Sequence, residues 1–207
     1  MDDLDALLGA GWYDRAGRPT SAPALLAALT LLADHHVQGI AKLRANLSRN
    51  PSRDELRHGL LQARLAAVAV SLGIRPILEP PVGDLVLDDV LLELRGLNRA
   101  SGGTSRRLVR AIELKAKQTR TAPAAWVWLT DDGAFEGLDL AAATGLSRVL
   151  ADWPHLHGVV LDGPLPIGFP RSTRFGPLTV VHRPGLPPNR WALIHRLCAA
   201  VALNRCR

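Results

Sequence analysis

The stretch Arg110-Ala111-Ile112-Glu113-Leu114-Lys115-Ala116-Lys117 admits two readings, and the choice between them decides the fold. As a helix it buries Leu108, Val109, Ile112 and Ala116, and the poor strand propensity of Glu, Lys and Ala favours that reading. As a strand it alternates, with Ile112, Leu114 and Ala116 on one face and Glu113, Lys115 and Lys117 on the other. Propensity and alternation balance on these eight residues. The decision therefore passes to what each reading builds.

The strand reading builds a hairpin with residues 90–95. A turn at Gly102-Gly103 sets Leu92 opposite Leu114, Glu93 opposite Glu113 and Leu94 opposite Ile112. One face is then apolar and the other gathers Glu93, Arg95, Glu113 and Lys115. Like charges directly across a sheet destabilise it, and a divalent cation with oxygen ligands would offset two facing carboxylates. The plain alternative is a solvated face on which these acids pair with neighbouring bases. A register slip of one residue would turn the whole face inward. We take the hairpin as the expectation to be tested.

Further acids lie just upstream, at Asp84, Asp88 and Asp89. Asp88-Asp89 also suits the two-residue turn of a smaller hairpin that would set Asp84 opposite Glu93. Before them, Ser52 followed by Glu55 has the spacing of a capping box opening a helix, with Leu56, Leu60, Ala63, Ala67 and Val70 as its apolar face and Gly73 as its end. Residues 1–21 read as an irregular leader and residues 22–47 as a helix, with a break at Asn50-Pro51. The expected division is a leader and helix over 1–51 and an α/β domain over 52–207. Past the deciding stretch, residues 125–129, 157–161 and 178–181 read as strands, and 138–151 and 189–206 as helices. The expected class is α/β (or α+β), with a mixed central sheet flanked by helices and a helical N-terminal lead-in.

With 207 residues, 47% of them apolar, the chain can bury one substantial core. It has no run of about 18 uncharged apolar residues, so no membrane span is expected. Its acidic start, Asp2-Asp3-Leu4-Asp5, is unlike a secretory signal. Two cysteines, Cys198 and Cys206, form neither a disulfide framework nor a zinc spacing, which leaves a reducing cytoplasm as the default expectation. No phosphate-cradling glycine loop and no Gly-x-Ser-x-Gly turn is present.

The formal charge is +6, and it is unevenly spread. Eight bases, Arg95, Arg99, Arg106, Arg107, Arg110, Lys115, Lys117 and Arg120, share their span with one acid, Glu113. After Asp162 come seven arginines and no acid. Such a field suits a polyanion, so nucleic acid is the expected partner, with Arg99, Arg106, Arg107, Arg110 and Lys117 as candidate phosphate contacts. Trp126 and Trp128 would either stack on bases or sit in the core. His155 and His157 would share a face of an extended segment, as a metal pair or as ordinary strand-edge histidines.

Glu113-Leu114-Lys115, with an acid on a preceding strand, resembles the active-site motif of the PD-(D/E)XK, or restriction-endonuclease-like, nuclease superfamily. The resemblance covers roughly residues 52–162. It implies a core of a helix, three strands, a helix and a further strand, and a Mg²⁺ (or Mn²⁺) cofactor held by acids. On this reading Glu113 and one of Asp84, Asp89 or Glu93 are metal ligands, Lys115 helps position or activate the attacking water, and Glu55 is the extra helix acid some members use. A rival placement sets the motif at Glu93-Leu94-Arg95 after Asp84, with arginine where the family has lysine. The implied function is hydrolysis of DNA or RNA phosphodiesters; the alternative is an inactive relative that binds nucleic acid or a protein, as a homodimer or in a larger complex. One departure stands out: residues 125–129 follow the preferred motif with no room for the implied helix.

Overall fold

The computed structural model describes residues 2–49, 52–98, 105–132, 135, 138, 140–163 and 172–205. The chain divides into two compact units, Met1–Asp88 and Asp89–Arg207. The expected division at residue 51/52 falls inside the first of them.

The first unit is mainly helical. Its elements are α1 (Asp2–Leu8), α2 (Trp12–Arg15), α3 (Ala22–Asp34), α4 (Ile40–Ser48) and α5 (Arg53–Ser71), followed by the antiparallel strands β1 (Pro76–Leu78) and β2 (Leu85–Leu87). The expected irregular leader is thus folded. The Asp5 carboxylate accepts from the backbone N–H groups of Gly11 and Tyr13 at 2.9 and 3.1 Å, fixing the turn into α2. These bonds, chiefly that from Tyr13, lower the Asp5 pKa. Trp12 is fully buried and donates from Nε1 to the Leu47 carbonyl at 2.7 Å, so α2 is anchored on α4. The helix expected over 22–47 is two helices, parted where His36 and Gly39 adopt left-handed backbone (φ 50° and 86°). Ser52 and Glu55 form the capping box foreseen from their spacing.

The second unit opens with β3 (Val90–Asn98), α6 (Ser105–Gln118) and β4 (Ala125–Asp132), and continues with α7 (Leu140–Asp152) and β5 (Leu156–Asp162). Then come β6 (Ser172–Phe175), β7 (Leu178–His182), a 3-10 turn (Pro188–Arg190) and α8 (Ala192–Arg205). Within this unit the strands lie in the order β3-β4-β5-β7-β6. β3, β4 and β5 are parallel, while β7 is antiparallel to β5 and to β6. The sheet is mixed and flanked by helices, as the pattern of helix and strand segments along the chain led us to expect.

The deciding stretch is a helix. The hairpin between residues 90–95 and 110–117 is therefore not formed, and Glu93 does not face Glu113 across a ladder. In place of a hairpin, β3 pairs in parallel with β4, Glu93 standing beside Val127. Parallel neighbours need a crossover, and α6 supplies it. The helix-period stripe Leu108, Ala111, Ile112 and Ala116 is buried, whereas Leu114, which a strand would have turned inward, is 48% exposed. Residues 125–129, which the preferred motif could place only as an insertion, form the fully buried first part of β4. α6 and α7 pack closely because α7 carries Gly145, where a Cβ would lie 2.5 Å from the Val109 side chain.

Candidate functional site

β3 alternates about the plane of the sheet, so Leu92 and Leu94 point to one face and Glu93 to the other. Parallel register puts Trp126 and Trp128 on the leucine face. Both tryptophans are fully buried, and Trp128 Nε1 donates to Asp162 Oδ2 at 3.3 Å, so they are core residues and not a stacking platform. Glu93 looks toward α6.

There it meets Lys115. The ammonium donates to Glu93 Oε2 at 2.6 Å, with side-chain exposures of 15% for Lys115 and 6% for Glu93. Lys115 lies in the middle of the inward stripe of α6, and its length lets it span from the helix axis to the strand. The last turn of α6 is clamped beneath it. Thr119 is buried and returns its hydroxyl to the Lys115 carbonyl at 3.0 Å, while His155 Nε2 sits 2.8 Å from the Ala116 carbonyl. His155 is thus engaged with the helix end, while His157 is buried in β5.

Residues two apart on a helix point about 200° apart, so Glu113 faces away from Lys115. It is exposed, in one stripe with Arg106, Arg110 and Lys117, all exposed. Glu113 therefore leaves the site that the strand reading gave it, and Glu113-Leu114-Lys115 is not a strand motif. The rival placement, Glu93-Leu94-Arg95, is the one that falls on a strand. Arg107 is exposed as well, and Arg99 lies outside the described residues.

The remaining acids are scattered. Asp89 is exposed in the Asp88-Asp89 turn, where Asp88 adopts φ 53°. Glu55 is committed to the cap: its Oε2 accepts from the Ser52 N–H at 2.7 Å, and the Ser52 contacts lower its pKa. Asp84 belongs to the first unit, immediately before β2, and its Oδ1 is 3.2 Å from His58 Nε2 of α5. One helical turn on, buried Gln62 donates from Nε2 to the Asp84 carbonyl, and its Oε1 has no hydrogen-bond partner. Sequence reasoning missed His58 and Gln62. The signal was present as two polar residues at i, i+4 beside the apolar face of an amphipathic helix.

Among the described residues no three His, Cys, Asp or Glu side chains cluster as a ready-made metal cage. Cys198 is no candidate nucleophile, because burial, assisted by the charge of Asp162, pushes its thiol far up. No described helix is long and apolar enough to cross a membrane. Comparison with protein-family models, curated proteins and solved structures gives no match.

Proposed function

We propose that the protein is a metal-dependent nuclease that hydrolyses DNA or RNA phosphodiesters, with Glu93 as the strand carboxylate and Lys115 as its lysine. The observation that carries this reading is the buried 2.6 Å contact between them, made from a strand and its crossover helix. The order of elements along the chain adds to it: α5, β1, β2, β3, α6, β4 is the helix, three strands, helix and strand that the restriction-endonuclease-like resemblance implies. With that assignment the missing helix is α6. Glu93-Leu94-Arg95, on β3, takes the place of the second motif. Arginine cannot give up a proton, and Lys115 reaches the same carboxylate from the helix instead.

Carboxylate oxygens suit Mg²⁺, which keeps several waters and takes one or two carboxylates plus substrate phosphate, so a full protein cage is not required. Such an ion lowers the pKa of water and neutralises charge developing on phosphate. The chain supplies the rest. Glu93 offers the ligand oxygen, Lys115 holds a positive charge beside it, and the clamp by Thr119 and His155 fixes where that charge stands.

The test is incubation of the protein with plasmid, single-stranded DNA and RNA in Mg²⁺, Mn²⁺ or EDTA. Cleavage is expected with metal and not with EDTA, to fall at least about 100-fold in Glu93→Gln and in Lys115→Met, and to be unchanged in Glu113→Gln. Undiminished cleavage in both of the first two variants would sink the assignment. A second reading, nucleic-acid binding without cleavage, draws on the absence of a three-ligand cluster among the described residues. Binding in EDTA with no hydrolysis in any metal would favour it.

A further inference from the structure

At the β6–β7–α8 corner four rings meet. Trp191 and His195 have centroids 4.3 Å apart, His182 lies nearly parallel to Trp191 (12°, 5.7 Å), and Phe175 meets His195 edge-on at 5.1 Å. None of the four is fully buried, unlike Trp126 and Trp128 in the same unit. Trp191 follows directly on the exposed turn Pro188–Arg190. Arg174 and Arg196 are exposed on β6 and α8, Arg190 is exposed beside Trp191, and Arg183 follows His182. From residue 163 to the end the sequence has no Asp or Glu side chain and seven arginines, so this segment carries a net positive charge.

We propose that this corner binds single-stranded nucleic acid, with an unpaired base stacking on Trp191 and the surrounding arginines taking the flanking phosphates. Every base has a π-face that such a ring accepts, and phosphates suit an arginine-rich surface. A duplex offers no free base face, which is why a single strand is the fitting partner. His195 is an aromatic neighbour whose pKa is lowered by burial, with His182 beside it. Its Nε2 is buried without a hydrogen-bond partner. The alternative is that the rings merely seal the outer hairpin of the sheet. The inference shares with the proposed function only its nucleic-acid partner.

The experiment is fluorescence anisotropy of labelled oligomers with the full chain in EDTA, where no hydrolysis can intervene. The arms are single-stranded DNA, single-stranded RNA, an abasic oligomer of equal length and a duplex. Base-bearing single strands should bind at least about tenfold more tightly than the abasic one, and Trp191→Ala should remove most of that advantage while Trp191→Phe keeps it. Arg190→Gln should reduce the slope of log affinity against log salt by about 0.7. Equal binding of abasic and base-bearing oligomers by the unaltered protein overturns the proposal, whatever the variants do to folding. So does wild-type affinity in a folded Trp191→Ala. Trp191-dependent binding without any cleavage in Mg²⁺ would fell the nuclease reading and leave this one standing.

Discussion

Two acids in this chain each meet a base carried by a helix, and the two meetings differ in their access to water. Glu93 and Lys115 are nearly sealed, at 6% and 15% side-chain exposure, and lie 2.6 Å apart. Asp84 and His58 are 3.2 Å apart with exposures of 21% and 35%. A pair so little exposed has lost most of its hydration, so removing one partner leaves the other charge in a poor solvent. A half-open pair keeps much of its hydration, and losing one partner returns the other to water. The same chemistry therefore holds the fold in one place and is nearly dispensable to it in the other.

The largest expected effect follows from the sealed pair. Lys115→Met should lower unfolding stability by about 3–5 kcal/mol, read by urea or thermal denaturation. The double variant Glu93→Leu/Lys115→Met should recover much of that loss, because no charge is then left buried. Equal destabilisation by the single and double variants would break the contrast.

An intermediate effect concerns His157, which is 7% exposed. Burial above all, then the charges of Arg183, Arg190 and His155, lower its pKa from 6.5, against the opposing charge of Asp89. The unfolded chain consequently binds the proton more readily. Stability should be full above pH about 6.5 and decline as pH falls from there toward the lowered folded value. Melting curves across pH 7 to 5 should show that decline, and His157→Leu should make it shallower. The Nδ1 of His157 is buried without a partner, so the substitution breaks no hydrogen bond there. A melting temperature independent of pH over that range would count against this account.

The smallest effect belongs to the open pair. His58→Ala should cost about 0–1 kcal/mol, a cost that shrinks further as salt is raised. A loss as large as that of Lys115→Met would show the Asp84 contact to be far less hydrated than its exposure indicates, and would erase the distinction.

Some of this was legible in the chain itself. The Ser52–Glu55 cap, the strand at 125–129 and the uneven charge all rest on local chemistry, which tertiary packing did not override. The deciding stretch is different. Ile112 to Lys117 fits both a period of 2 and a period near 3.6, because a lysine stands where the helical stripe would otherwise be apolar. A buried lysine is read from sequence as a polar face; only its partner explains it.

The sequence placed Glu93 and Lys115 on segments able to pack, but brought them together only through a hairpin that does not form. Tertiary structure decided how they meet. A parallel β3–β4 pair requires a crossover, the crossover had to be α6, and a helix turns Glu113 about 200° away from Lys115 while bringing the lysine over the strand. Local pattern could not settle that, because strand and helix each bury an apolar face of these residues, and only the parallel pairing with β4 selects the helix.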